Sequence, residues 1–491
     1  MAELILPTQL YDAVAVRALD QAAIAAEERG ALTLMIRAGE AALRTLQSRW
    51  PGIERVSVVC GAGNNAGDGY VLARLAHAAG IAVGVIQIGD PDKLGREARV
   101  CFDALREVGI IPRSDFSAID VAEVVVDAIF GIGLAREIEG RFAAAIGRIN
   151  GATAPVLSID IPSGINATTG WRMGVAVRAT ATLTLIGVKQ GLLTADAPEH
   201  AGDIVFDDIG VPAAIYDGVA PSAMLLDMRY VKDRLRPRSR TAHKGDHGHV
   251  LIIGGAPGYA GAIRLAGEAA VRVGAGLVSV ATHPDVAANV NALRPELMAH
   301  AVSRPRDLDA LLAVADVVAI GPGLGQSDWA MALFGAVLDR RLPIIVDADA
   351  LNLLAHEPVH RDDWVLTPHP GEAARLLGTT TGAIHEDRFV AAAKLRDRYG
   401  GSIVLKGAGS IIVDQALPGI LRCGNPGMAS GGMGDVLTGI IAGFVAQGFT
   451  PARAARIGAC VHATAADRAA VDGERGLLAS DLMSHLRALV N

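Results

Sequence analysis

What this chain has little of narrows the field first. No apolar run approaches the roughly 18 residues that a membrane-spanning helix needs; stretches such as VSVV at 56–59 and VLII at 250–253 have the length of buried strands. The mean hydropathy of +0.35 is therefore expected to reflect packed cores and not a membrane. The four cysteines, Cys60, Cys101, Cys423 and Cys460, lie far apart without CxxC spacing, which excludes a zinc knuckle and a disulfide framework. Basic residues are in the minority: 45 Lys plus Arg against 52 Asp plus Glu leave a formal net charge of −7, opposite to the footprint of a general nucleic-acid binder. Aromatics make up 4% while apolar residues reach 51%, too apolar and too weakly charged for a disordered chain. Residues 1–10 contain Glu3 and Pro7 and lack the basic-then-apolar order of a secretion signal, so a cytoplasmic location is expected.

Glycine is in surplus, at 57 of 491 residues, and without a three-residue period this marks tight turns where backbone approaches a ligand and not collagen. At roughly 150 residues per domain the length predicts two or three domains. Short β-branched runs at 56–60, 81–88, 124–129, 156–161 and 182–186 alternate with Ala-rich segments, the grammar of a parallel sheet covered on both faces. Before them, apolar spacing over 11–50 predicts two helices, able to pack on the sheet or form a subunit contact. The charged stretch 227–249 reads as a connector, giving domains 1–225 and 226–491. Beyond it strands are predicted at 250–253, 277–281, 317–320, 343–347, 364–367 and 403–406, with a final strong helix at 435–444. The fold class expected is α/β, with two αβα domains.

Three turns of the first half carry chemistry. CGAGNNAGDGY at 60–70 follows a strand and opens a helix, where backbone N–H groups converge on an anion. It is not a GxGxxG fingerprint. DAIFGIGL at 127–134 and SIDIPSG at 158–164 each place a carboxylate and glycine at a strand's carboxyl end, the edge where open α/β sheets bind ligands. Any one of these aspartates alone could be a helix cap.

With TLIGVKQG at 184–191, these motifs in this order resemble the amino-terminal YjeF domain, a Rossmann-like NAD(P)H-hydrate epimerase. The resemblance implies that Asn64, Asn65, Ala66, Gly67 and Asp68 hold substrate phosphate, and that Asn65, Asp127 and Ser163 ligate K+. It also implies that Gly131, Ile132, Gly133, Leu134, Ala135, Arg136, Glu137 and Asp160 contact the nucleotide. Asp160 is the expected acid/base and Lys189 a second candidate. Ala66 stands where Gly is usual in the family and Ile132 where Thr is common.

In the second half, GNPGMASGGMGDVL at 424–437 places glycines before a helix and Asp435 at its start, an anion hole beside a base that can take a hydroxyl proton. With GGAPGYAGA at 254–262, GAGLV at 274–278, GPGLG at 321–325, DADALN at 347–352, TPHPGE at 367–372 and KGAGS at 406–410, it resembles the ribokinase-like ADP/ATP-dependent NAD(P)H-hydrate dehydratase. The resemblance implies adenine-nucleotide contacts from Lys406, Gly407, Ala408, Gly409, Ser410 and Gly434, with Mg2+ accompanying ADP. It implies a hydrate pocket of Ala262, Gly323, Gly325 and His369, and Asp435 as catalytic base. Glu372 is a candidate for holding Mg2+ through water. Ser410 and Met433 stand where Thr is usual. For His243, His247 and His249 no carboxylate or Cys completes a good ligand set, so metal binding is not expected there; His462 is expected to be a packing residue.

Together the resemblances imply repair of hydrated nicotinamide dinucleotides: epimerisation of the R and S hydrates of NADH and NADPH (NADHX and NADPHX), then ADP-dependent dehydration of the S form. The rival reading is a vitamin-precursor kinase fused to a non-catalytic nucleotide-binding module; Asn-x-x-Glu would favour it, and His369 occupies that Asn. Self-association into a homo-oligomer is expected from the amino-terminal helices and Ala-rich surfaces.

Overall fold

The computed structural model describes residues 5–28, 30–292 and 294–491. They form two compact units, Met1–Met224 and Leu225–Asn491, with the strand Ala223–Leu226 across the division.

The first unit holds a six-stranded sheet in the order Ala82–Gln87, Arg55–Cys60, Val124–Ala128, Val156–Ile159, Ala181–Leu185, Asp203–Asp207, all parallel. Both faces are buried, so successive side chains enter different cores. Val56, Val58 and Cys60 face the helices Ala31–Arg49, Asn64–Ala78 and Arg96–Glu107, while Val59 faces Gly140–Asn150. That is why each strand reads as an unbroken apolar run. The order reverses between Arg55–Cys60 and Val124–Ala128, and the crevice at their carboxyl ends is the ligand-binding position of such sheets.

In the second unit the strands run Met298–Ala301, Leu277–Thr282, His249–Gly254, Val317–Ile320, Ile344–Val346, Trp364–Leu366, Ser402–Leu405, Ile411–Val413, Gly419–Leu421. The first seven are parallel and the last two close an antiparallel meander. One face carries the core of Ile253, Ile320, Val346, Leu366 and Leu405. On the other, Ala260–Arg272, Met433–Ala446 and Pro451–Ala469 pack together. The chain reverses order between His249–Gly254 and Val317–Ile320.

Two readings of the sequence need correction. The stretch 227–249 is more than a connector, because Met228–Lys232 is a helix that buries Val231 and is capped by Asp227. Nor is 435–444 the last strong helix. Pro451–Ala469 follows, capped by Thr450, and its buried residues are mostly alanines, with Ile457, Cys460 and Val461 and with Arg456 and His462 among them. Such small residues give little hydrophobic contrast along the sequence. Among the described residues no helix is long and apolar enough to cross a membrane.

Candidate active sites

The crevice of the first unit opens into a cavity of about 820 Å³. Its walls include Asn64, Asn65 and Asp68 from the helix entered at Gly63, and Gly131, Ile132, Gly133, Leu134 and Arg136 after Val124–Ala128. Asp160, following Val156–Ile159, and Lys189 complete the floor. Ala66, Gly67, Ala135 and Glu137 are not in the walls; Ala66 is fully buried, and a Cβ on Gly67 would run into Met35.

Asp160 sits at φ +71°, a conformation that costs a non-glycine residue energy and persists where surrounding contacts impose it. Its backbone N–H donates to Leu183 O at 2.6 Å. Its carboxylate pairs with Lys189, which is almost fully buried and also donates to Leu185 O at 2.9 Å. The ammonium is thus fixed at the cavity floor.

Asp127 and Ser163 lie beneath this floor. Asp127 is fully buried and accepts from Ser158 Oγ at 2.8 Å, Ser163 N at 2.8 Å, Ser163 Oγ at 2.6 Å and Ile129 N at 3.2 Å. Burial still holds its pKa above the usual carboxylate range against those donors. Asn65 Nδ2 donates to Phe130 O at 3.0 Å and Ile159 O at 3.2 Å, leaving Asn65 Oδ1 buried with no partner. A buried oxygen without a donor, on a side chain whose amide already reaches two backbone carbonyls, fits a hard monovalent cation held by oxygen.

Asp20 and Asp68 complete the electrostatics. Burial raises the pKa of Asp68 well above its ordinary value, with Asp160 and Asp20 adding repulsion. Burial lifts Asp20 to about 6; Lys189 and Arg17 oppose the shift and Asp160 adds to it. Asp20, Arg17 and Lys93 line the cavity, although the motifs did not point to them. One signal was available: Asp20 interrupts the buried stripe of Val16, Leu19 and Ala23 on its helix.

In the second unit, Asp435 lies in the first turn of Met433–Ala446, entered through Gly432. Gly434 packs closely against that pair of side chains: a Cβ there would stand 3.3 Å from Lys406 Nζ and 3.4 Å from Asp347 Oδ2. Asp347 is buried and accepts from Lys406 Nζ at 2.8 Å, Thr367 Oγ1 at 2.8 Å and Thr438 Oγ1 at 2.9 Å. Burial pushes its pKa up, but the ammonium and these donors outweigh it and hold the carboxylate below its ordinary value. Burial and Asp347 raise Asp435 to about 7, with Asp349 adding and Lys406 opposing. Glu372 is likewise lifted to about 7 by burial, against the pull of Lys406.

His369 caps Pro370–Leu377: its Nδ1 accepts from Gly371 N at 3.0 Å and Glu372 N at 3.3 Å, while Glu372 Oε2 accepts from His369 N at 2.8 Å. The cap uses one ring nitrogen and leaves Nε2 3.4 Å from Glu372 Oε1. Gly323, Gly325 and Ala262 gather at the order reversal, where Gly325 N donates to Asp349 Oδ2 at 2.8 Å. The 406–410 loop is closed by Ser410 Oγ donating to Gly407 O at 3.1 Å. Behind it Arg388, nearly fully buried, reaches Leu405 O at 3.2 Å, Lys406 O at 3.3 Å and Gly409 O at 3.5 Å. His462 is also buried behind the site; its ring bonds to the Met433 backbone, and burial lowers its pKa to about 4. Among the described residues no group of three or more His, Cys, Asp and Glu side chains is arranged to hold a metal ion; His249 Nε2 lies 2.9 Å from Ser279 Oγ.

Comparison with known proteins agrees along the whole chain. The bifunctional NAD(P)H-hydrate repair enzyme of Coxiella burnetii is 48% identical over 490 residues, spanning 99% of this chain and 100% of that protein. This chain belongs to the bifunctional NAD(P)H-hydrate repair enzyme family. The enzyme of that name from Escherichia coli is 45% identical over 93% of this chain and 89% of its own length. Within the repair-enzyme chain, residues 31–191 match the YjeF-related protein N-terminus and 250–488 the NAD(P)H-hydrate dehydratase family. A ribokinase-like superfamily protein from Enterococcus faecalis superposes with a TM-score of 0.50 at 30% identity, over 54% of this chain and 94% of that one.

Proposed function

We propose that the two units carry out successive steps on hydrated nicotinamide dinucleotides. The first interconverts the R and S hydrates of NADH and NADPH, and the second turns the S hydrate back into the reduced dinucleotide at the expense of ADP. The observation that carries the second half is Asp435, in the first turn of its helix beside the ion pair of the buried Asp347 with the half-buried Lys406.

Dehydration needs a leaving group better than hydroxide. Asp435 takes the proton of the ring hydroxyl while that oxygen attacks the terminal phosphoryl group of ADP, and AMP departs. The lone pair of the ring nitrogen then expels phosphate, and loss of a proton from the neighbouring carbon restores the double bond. Backbone N–H groups around Gly434 and the ammonium of Lys406 face the phosphoryl charge. Glu372 and Asp349 supply hard oxygens suited to Mg2+, which would neutralise the nucleotide phosphates when bound. In the first unit Asp160 exchanges a proton with the ring hydroxyl while Lys189 holds its carboxylate in place. Asn65 Oδ1, with Asp127 and Ser163 behind it, would hold K+, which supplies positive charge under the substrate phosphates. The same reading has the chain self-associate as a homo-oligomer, checked by sedimentation velocity.

The test is direct. S hydrate with ADP and protein is expected to regain the absorbance of the reduced nicotinamide; no recovery with either ADP or ATP overturns the dehydratase reading. Asp160→Ala is expected to slow R-to-S conversion by roughly 10²-fold or more, measured by chromatographic separation of the epimers, and to leave dehydration of the S hydrate intact. Arg388→Met, which loosens the 406–410 loop, is expected to weaken ADP binding about tenfold, near the worth of one charge-assisted hydrogen bond, read by calorimetry.

A further inference from the structure

The cavity of the first unit holds a carboxylate that the epimerase reading above leaves unused. Asp20 enters from Ala13–Ala25, a different element from those bearing Asp160 and Lys189. Among the described residues no hydrogen bond or ion pair engages its carboxylate, although it lies in a partly buried wall of the cavity. The Asp160 carboxylate, by contrast, is tied to Lys189. A recessed carboxyl without a partner is costly unless something that binds there uses it.

The chemistry of the substrate asks for two such groups. Hydration of a reduced nicotinamide protonates one carbon of an enamine and adds water to the other, so the hydroxyl sits on the carbon beside the ring nitrogen. To invert that centre through loss and return of water, the C–O bond breaks as the oxygen takes a proton, and the nitrogen lone pair closes a C=N+ bond. Water then forms a new C–O bond on the opposite face and gives up a proton. One acid and one base are needed, on different sides of the ring, and they exchange roles for the reverse reaction. A single carboxylate pinned by an ammonium serves one side only.

We infer that Asp20 is the second proton-transfer group of this cavity, acting on the ring hydroxyl from a wall other than the one formed by Asp160 and Lys189. The inference rests on the epimerase reading of the first unit. The groups that set its charge are Lys189, Arg17, Asp160 and Asp68, which lie on separate elements around the same cavity. With a pKa of about 6, Asp20 has both protonation states accessible near neutrality.

The experiment uses the full chain and the purified R hydrate of NADH. Asp20→Asn keeps the size of the side chain and removes the ionisable carboxyl group. Its kcat for R-to-S conversion is expected to fall by about 10²-fold or more with KM little changed, while turnover of S hydrate with ADP stays at the wild-type value. A variant that epimerises at the wild-type kcat, or whose loss lies in KM alone, overturns the inference. A second measurement needs no variant: in 18O water the wild-type protein is expected to place label on the ring carbon at the rate of epimerisation. Inverted product that keeps its original oxygen overturns the two-sided exchange of water. If the wild-type chain fails to accelerate epimerisation at all, the epimerase reading falls and Asp20 falls with it; wild-type epimerisation with an unaffected Asp20→Asn removes Asp20 alone.

Discussion

Asp435→Asn is expected to stop dehydration of the S hydrate, lowering kcat by about 10³-fold or more, while R-to-S epimerisation continues at the wild-type rate. The amide matches the carboxylate in shape, so the helix start and its glycines stay in place and only the proton acceptor is lost. Coupled assays separate the two outcomes, because R and S hydrates accumulate in equilibrium when only the second unit is disabled. The pH dependence adds a signature. A base works in its deprotonated form, so with Asp435 near 7 the dehydration rate is expected to fall as pH drops through about 7. Glu372 titrates in the same range. In Glu372→Gln the acid limb should therefore persist, and its disappearance there would transfer the role of base to Glu372.

The second large effect concerns stability as well as activity. Lys406→Met leaves the buried carboxylate of Asp347 without its ammonium, and breaking a buried pair from one side costs about 3 kcal/mol or more. In a unit of this size that corresponds to a fall of roughly 6–12 °C in melting temperature. Adding Asp347→Asn removes the stranded charge; Thr367 and Thr438 bond to different carboxylate oxygens, so one hydroxyl can donate to the amide oxygen and the other accept from the amide nitrogen. The double variant is therefore expected to regain most of the stability while remaining inactive with ADP. Calorimetry on the two variants checks the coupling; additive losses would mean that the pair is not the unit of stability.

Much of the architecture was legible in the chain. Strands buried on both faces, such as Arg55–Cys60 and His249–Gly254, read as continuous apolar runs, and the glycines after them marked the turns. Asp435 was legible because the glycines before it and the helix after it are neighbours in sequence. Pro451–Ala469 was harder, since a helix that buries alanines against other helices shows little contrast between its faces. Asp20 was overlooked because one carboxylate on a helix looks like surface until the cavity beside it exists.

By itself, then, the sequence determined the two α/β halves, the places where the backbone must turn tightly, and the carboxylates standing at strand ends. These depend on periodicity and on residues adjacent in the chain. Only the tertiary structure decided that Lys406 meets Asp347 across 59 residues, that Lys189 meets Asp160 across 29, and that Asn65 Oδ1 is left without a donor. Strand order sets those meetings: parallel strands bring carboxyl ends from distant segments to one edge, and no local pattern records which ends become neighbours.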